Sequence, residues 1–127
     1  MALDRKAPMG HNEKLQTVVY TERYAARAER LLSDHEMDAV TYAIASNPAA
    51  GDLIPGTGGV RKIRFGKGGR GKRGGVRVIY YYHDPYVPII LMDLYAKNEK
   101  ADLSRAECNS LKTTVAELKN EYRRAKR

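Results

Sequence analysis

Lys62 and Arg64 lie two residues apart in the run Val60 to Phe65, and Arg77 sits at the start of a second β-branched run, Val76 to Tyr82. A strand alternates its side chains between two faces, so Lys62 and Arg64 are expected together on one face, with Ile63 and Phe65 on the other. If the two runs form a hairpin, Arg77 joins them. Three converging cations can hold a phosphate and stabilise the extra negative charge of a phosphorane-like transition state. A lysine in such company can also serve as a base. The same residues suit a phosphate-contacting face with no chemistry, since fixed geometry separates the two readings and sequence does not show it.

Between these runs lies Gly66-Lys67-Gly68-Gly69-Arg70-Gly71-Lys72-Arg73-Gly74-Gly75, with six glycines and four cations in ten residues. It is not a phosphate-binding P-loop, because Gly71-Lys72 is followed by Arg73 and a strand instead of a Ser/Thr and a helix. The composition predicts a loop that orders around phosphates when it binds; an ordinary hairpin loop is the plainer alternative. A third group is Tyr95-Ala96-Lys97-Asn98-Glu99-Lys100. Here Tyr95 can stack on a base, Glu99 can act as a base, and Lys97 and Lys100 can meet phosphates. A solvated turn with Tyr95 packed in the core accounts for the same residues.

Other chemistry finds little support. His11, His35 and His83 are far apart, and the lone Cys108 falls on a predicted core stripe. No metal-ligand spacing and no Ser-His-Asp pattern is present, so neither a metal nor a cofactor is expected. One cysteine also excludes a disulfide framework.

The 127 residues fit a single domain, and their charge is unevenly placed. Lys and Arg number 23 against 15 Asp and Glu, a net +8. Between Asp52 and Asp84 there is no acid, while Arg61, Lys62, Arg64, Lys67, Arg70, Lys72, Arg73 and Arg77 supply eight positive charges. The remainder of the chain is neutral. A focused positive field attracts a polyanion, and nucleic acid is the natural candidate. A solvated basic face is the alternative. The longest apolar stretch, Val87 to Leu94, is eight residues interrupted by Pro88 and Asp93, too short to span a membrane. Met1 to Thr17 lacks the apolar core of a signal peptide.

The elements that must position these residues are legible in outline. Residues 1–16 are expected to be a flexible arm and residues 17–127 one domain. Thr17 to Tyr20 reads as a strand. Glu22 to Leu32 reads as a helix with Tyr24, Ala28, Leu31 and Leu32 inward. Ser33-Asp34-His35-Glu36 is a capping box opening a second helix, with Met37, Val40 and Ile44 inward, ended before Pro48. Gly51 to Gly59 reads as a turn-rich connector. Val60 to Phe65, Val76 to Tyr82 and Pro88 to Tyr95 read as strands. In the second of these, Tyr80, Tyr81 and Tyr82 alternate, and outward-facing members are candidate stacking platforms. A second capping box, Ser104 to Glu107, opens a helix with Cys108, Leu111, Val115, Leu118 and Tyr122 along one face. The expected fold is α+β: a small antiparallel sheet, an N-terminal helical hairpin and a C-terminal helix, with the helices on one side of the sheet.

Three segments together resemble a known family. They are Ile54 to Arg64 (IPGTGGVRKIR), the basic loop continuing through Gly75 to Tyr81 (GVRVIYY), and Tyr95 to Ser104 (YAKNEKADLS). In this order they resemble the RelE/ParE superfamily of type II toxins, specifically its RelE/HigB-like branch, over about Thr17 to Lys119. The resemblance implies a cytoplasmic toxin that cleaves messenger RNA on the ribosome, with a cognate antitoxin, expected to be a helix-turn-helix DNA-binding protein, encoded beside it. The implied chemistry is metal-independent attack of an RNA 2′-hydroxyl on the adjacent phosphate. On this reading Lys62 is base or electrostatic helper and Arg64 and Arg77 are transition-state clamps. Arg61, Lys67, Arg70, Lys72, Arg73, Tyr95 and Lys100 would bind RNA. The third segment departs from the family pattern: Asn98 falls where an arginine would be, and Ser104 lies near the position of a tyrosine. Lys97, Glu99, Lys100 or Tyr95 would have to substitute. A gyrase-inhibiting ParE-like toxin and a non-catalytic ribosome- or RNA-binding module are the alternatives. Retention of Lys62, Arg64 and Arg77 argues against the first.

Overall fold

A computed structural model describes residues 15–66 and 75–125. The predicted arm up to residue 14 and most of the basic loop, with Lys67, Arg70, Lys72 and Arg73, lie outside the described residues. The elements run β1 (Val18–Tyr20), α1 (Glu22–Leu31), α2 (Asp34–Ser46), β2 (Asp52–Leu53), β3 (Val60–Phe65), β4 (Val76–Tyr81), β5 (Ile89–Ala96) and α3 (Arg105–Ala125). The fold is α+β, as the sequence implies.

Local chemistry sets the helix starts. The Thr21 hydroxyl caps α1 by accepting from the Tyr24 amide at 3.1 Å, and it donates to the Met92 carbonyl at 2.8 Å. One side chain thus fixes both the start of α1 and its seat beside β5. Both capping boxes form. Ser33 Oγ accepts from the Glu36 amide and Glu36 Oε1 accepts from the Ser33 amide. Ser104 and Glu107 repeat the exchange at the start of α3.

The sheet order is β1-β5-β4-β3-β2. The β3–β4 and β4–β5 pairs are antiparallel, but β1 runs parallel to β5, with Val18 opposite Ile89. The sheet is therefore mixed, where a purely antiparallel one was expected. The reason is the helical hairpin: it carries the chain across one face and lets β1 lie alongside β5 in the same direction. The two-residue edge strand β2 pairs Asp52 with Lys62 and Leu53 with Arg61, within what the sequence marks as a connector. A strand this short carries no periodic signal.

Helices cover both faces, which corrects the one-sided arrangement. On one face Tyr24, Ala28, Leu31, Val40 and Ile44 pack against Val76, Val78, Tyr80, Ile89, Leu91 and Leu94. On the other, Val115 of α3 packs on Val60, Ile79, Tyr81, Met92 and Tyr95, flanked by Leu111, Leu118 and Tyr122. The tyrosine run follows from this two-sided cover. Tyr80 and Tyr81 point to opposite faces and both are buried, so neither is a stacking platform, and Tyr82 is half-buried against the first cluster.

Gln16, expected in the arm, is tied to the domain. Its side chain donates to the carbonyls of Asp84 and Val87, and its amide donates to Ala45. The Tyr80 hydroxyl donates to the Pro48 carbonyl at 2.7 Å and accepts from the Gly51 amide at 2.9 Å, binding the end of the hairpin to β4. A Cβ on Gly51 would lie 2.8 Å from that hydroxyl, so the approach requires glycine. Tyr80→Phe strands a buried amide and should lower stability by about 1–3 kcal/mol. Urea unfolding of the two proteins measures it.

Candidate functional site

Strand alternation does what the sequence predicts along β3. Ile63 and Phe65 join the cluster beneath α1 and α2. Lys62 and Arg64 take the face that carries α3. The antiparallel register sets Arg64 opposite Arg77, and Arg77 in turn opposite Tyr95. The next pair along, Lys62 and Ile79, adjoins the apolar patch under α3. One face of the sheet thus changes character along its length. It is apolar at Val60, Ile79 and Tyr81 and cationic at Lys62, Arg64 and Arg77. The cationic end is also where β3 and β4 run into the basic loop.

Arg64 is exposed, Lys62 and Arg77 half-buried. Like charges directly opposite each other in a sheet are destabilising, so the Arg64–Arg77 pair costs stability. Part of that charge is answered locally. Asp102 Oδ1 lies 3.3 Å from Lys62 Nζ. Its carboxyl is held below the usual range, first by the Leu103 amide and then by Lys62, with Arg77 contributing through space. Arg77 Nη1 and the Tyr95 hydroxyl are buried and find no hydrogen-bond partner among the described residues.

The third predicted group divides. Tyr95 is 1% exposed, and Lys100 Nζ stands 5.0 Å from its ring centroid. In this arrangement the ring is a floor for the site and is not open to a base. Burial pushes its hydroxyl pKa up, and Asp102 adds to the shift. Lys100 also pairs with Glu107. Glu99 turns away from the cations. It accepts from the Ala96 amide at 3.1 Å and from Arg30 of α1 at 3.0 Å, and these bonds, the first above all, keep its carboxyl below the ordinary range. A carboxylate held in that state is a weak base. Lys97 is exposed, and its amide donates to the Gly75 carbonyl at the foot of the basic loop.

Arg61, expected to contact RNA, points to the opposite face from Lys62. Its guanidinium donates to the carbonyls of Ala49 and Gly51 at 3.1 and 2.7 Å, which makes it a staple between β3 and the turn before β2. The residue that sequence reasoning missed is Asp102. A lone turn carboxylate gives no signal until the turn is seen to fold back across β3. Among the described residues no group of three or more His, Cys, Asp or Glu is arranged to hold a metal ion.

Two comparisons bear on this geometry. A family model described as the RelE toxin of the RelE / RelB toxin-antitoxin system matches residues 17–125. A structure of the E. coli toxin RelE in the free state, a double arginine-to-alanine mutant, superposes with a TM-score of 0.51 at 16% identity. The match covers 68% of this chain and 88% of that one. At that identity the likeness concerns the fold.

Two outcomes are expected. Arg64→Gln removes the opposed charge while keeping an unbranched polar side chain on the exposed face. It should leave the melting temperature unchanged or raise it by about 2 °C, whereas a structural role would lower it; calorimetry decides. Glu107 sits low in the folded state, held first by Lys100 and then by the Ser104 amide. A depressed carboxyl contributes stability that is present above its unfolded value and lost as pH falls through the folded one. Below about pH 4.5 the wild type should therefore lose more urea resistance than Glu107→Gln.

Proposed function

Because the chain belongs to the RelE toxin family and is by that membership the toxin of a toxin–antitoxin system, we propose that it is a ribosome-dependent endoribonuclease acting on translated messages. The observation that carries this reading is the register of β3 and β4, which brings Arg64 and Arg77 face to face with Lys62 beside them.

In this reaction the RNA 2′-oxygen attacks the adjacent phosphorus. The bond from phosphorus to the 5′-oxygen breaks, leaving a 2′,3′-cyclic phosphate and a free 5′-hydroxyl. The 2′-hydroxyl gives up a proton and the departing 5′-oxygen gains one. Arg64 and Arg77 meet the non-bridging oxygens, where charge accumulates in the phosphorane, and a fixed cation there stabilises the transition state more than the ground state. Lys62 meets the attacking oxygen as base or as electrostatic partner. Lys97 and Lys100, on the turn after β5, are the remaining cations that would assist the departing 5′-oxygen. Lys67, Arg70, Lys72 and Arg73 grip the message or ribosomal backbone, and binding through them should weaken steeply with salt.

The antitoxin that the family implies would neutralise the toxin by covering this basic face, and an acidic binding segment suits it. Among the described residues no helix is long and apolar enough to cross a membrane. A cytoplasmic site of action beside the ribosome fits the reading.

Induction in a bacterial host, with transcriptome-wide mapping of new RNA ends, tests the proposal. Cuts within translated regions, at fixed positions relative to codons, are expected. Arg64→Ala and Arg77→Ala should each abolish growth arrest and reduce cutting by at least about a hundredfold, the usual scale for losing a transition-state donor, while remaining folded by circular dichroism. Arrest without codon-associated cuts, or a DNA-damage response in their place, contradicts the reading. So does full killing by the two folded variants.

A further inference from the structure

The turn after β5 folds back over the basic face and is fastened at three places. Glu99 joins it to Arg30 of α1. Lys100 joins it to Glu107 and lies against Tyr95. Asp102 joins it to Lys62. The third fastening differs in kind from the others. It sets a carboxylate on Lys62, the cation that the proposed reaction assigns to the attacking 2′-oxygen beside the scissile phosphate.

Asp102 is held in that position. Its Oδ1 accepts from the Leu103 amide at 2.8 Å, which orients the carboxylate independently of Lys62. The acid also feels Arg77 electrostatically. Two polar atoms near this turn have no partner among the described residues: Nη1 of Arg77 and the hydroxyl of Tyr95, which belong to cross-strand neighbours. Both are hydrogen-bond donors buried beneath the turn. Asp102 is therefore a carboxylate seated at the edge of a patch otherwise made of cations and donors.

We propose that Asp102 is an internal competitor for RNA at the basic face, occupying Lys62 in the free toxin and yielding it most readily to RNA presented at high local concentration. The inference rests on the reading of the basic face as the RNA site, and it names the regulation of that site. An acid carried on the same chain competes at an effective concentration in the millimolar range, which free RNA does not reach. A message held on the ribosome does not face that limit. The guard is a weak one, because Asp102 is 65% exposed and an exposed ion pair contributes little. A weak guard suits a site that must open in every catalytic cycle.

The test is binding of a fluorescein-labelled, 2′-O-methylated single-stranded RNA to purified toxin without ribosomes, followed by anisotropy at fixed salt. The methyl groups remove the nucleophile, so binding is read without cleavage. Asp102→Asn keeps the oxygen that accepts from Leu103 and deletes the charge. Asp38→Asn, on α2 against the opposite sheet face, changes net charge equally. Asp102→Asn should bind about threefold to fivefold more tightly than wild type, the scale of an exposed ion pair, and Asp38→Asn should bind like wild type. Equal tightening in both variants, or none in Asp102→Asn, overturns the proposal. The companion assay is wild-type cleavage of ribosome-bound message. If the wild type cuts and Asp102→Asn does not bind more tightly, the guard is wrong and the nuclease reading stands. If the wild type does not cut, the nuclease reading falls by itself.

Discussion

The antiparallel ladder between β3 and β4 is the constraint from which the rest of the molecule follows. Its six residue pairs fix which side chains share a face. A slip of one residue would send Lys62 and Arg64 beneath the helical hairpin and turn Ile63 and Phe65 toward α3. Burial of Ile63 and Phe65 against the first core cluster therefore aims the cations as well as stabilising the strand. The same ladder imposes a cost, since it sets two arginines directly opposite each other. A local rule broken at one place, inside a fold otherwise consistent with its sequence, marks a functional site more often than a defect.

The surrounding elements maintain that ladder while leaving its cationic end accessible. The hairpin of α1 and α2 closes one face, and Tyr80 and Arg61 bind its far end to β4 and β3 through backbone groups of residues 48–51. The α3 helix closes the other face over Val60, Ile79 and Tyr81. The buried acid Asp93 is paired with Arg27 at 3.0 Å and accepts from the Leu94 amide, beside an irregularity in the β4–β5 register. That pair locks α1 to β5 upstream of the turn carrying Glu99, Lys100 and Asp102. The position of the turn is thus set by two helices, α1 through Arg30 and α3 through Glu107.

Much of this was legible in the sequence because it is local. Alternation in Val60 to Phe65 assigned Lys62 and Arg64 to one face, and the two Ser–x–x–Glu boxes marked the starts of α2 and α3. What could not be read was long-range. Whether a sheet is covered on one face or two depends on where α3 docks, so the fate of Tyr81 and Tyr95 was invisible. The direction of β1 depends on the path of the hairpin. Arg61 looks like any member of a basic cluster until its carbonyl partners at residues 49 and 51 are seen. Glu99 and Asp102, three residues apart in one turn, reach opposite sides of the sheet edge, one to α1 and one to β3. No spacing rule distinguishes them.

The central claim is that this basic face drives attack by a message's own 2′-oxygen. The most direct measurement is cleavage, in chelator, of a single defined message on programmed ribosomes, with and without a 2′-deoxy substitution at the cut nucleotide. The account predicts a product ending in a 2′,3′-cyclic phosphate from the all-ribose message and no cut at the substituted position. Equal cutting of both messages would contradict it, because the nucleophile would then come from elsewhere.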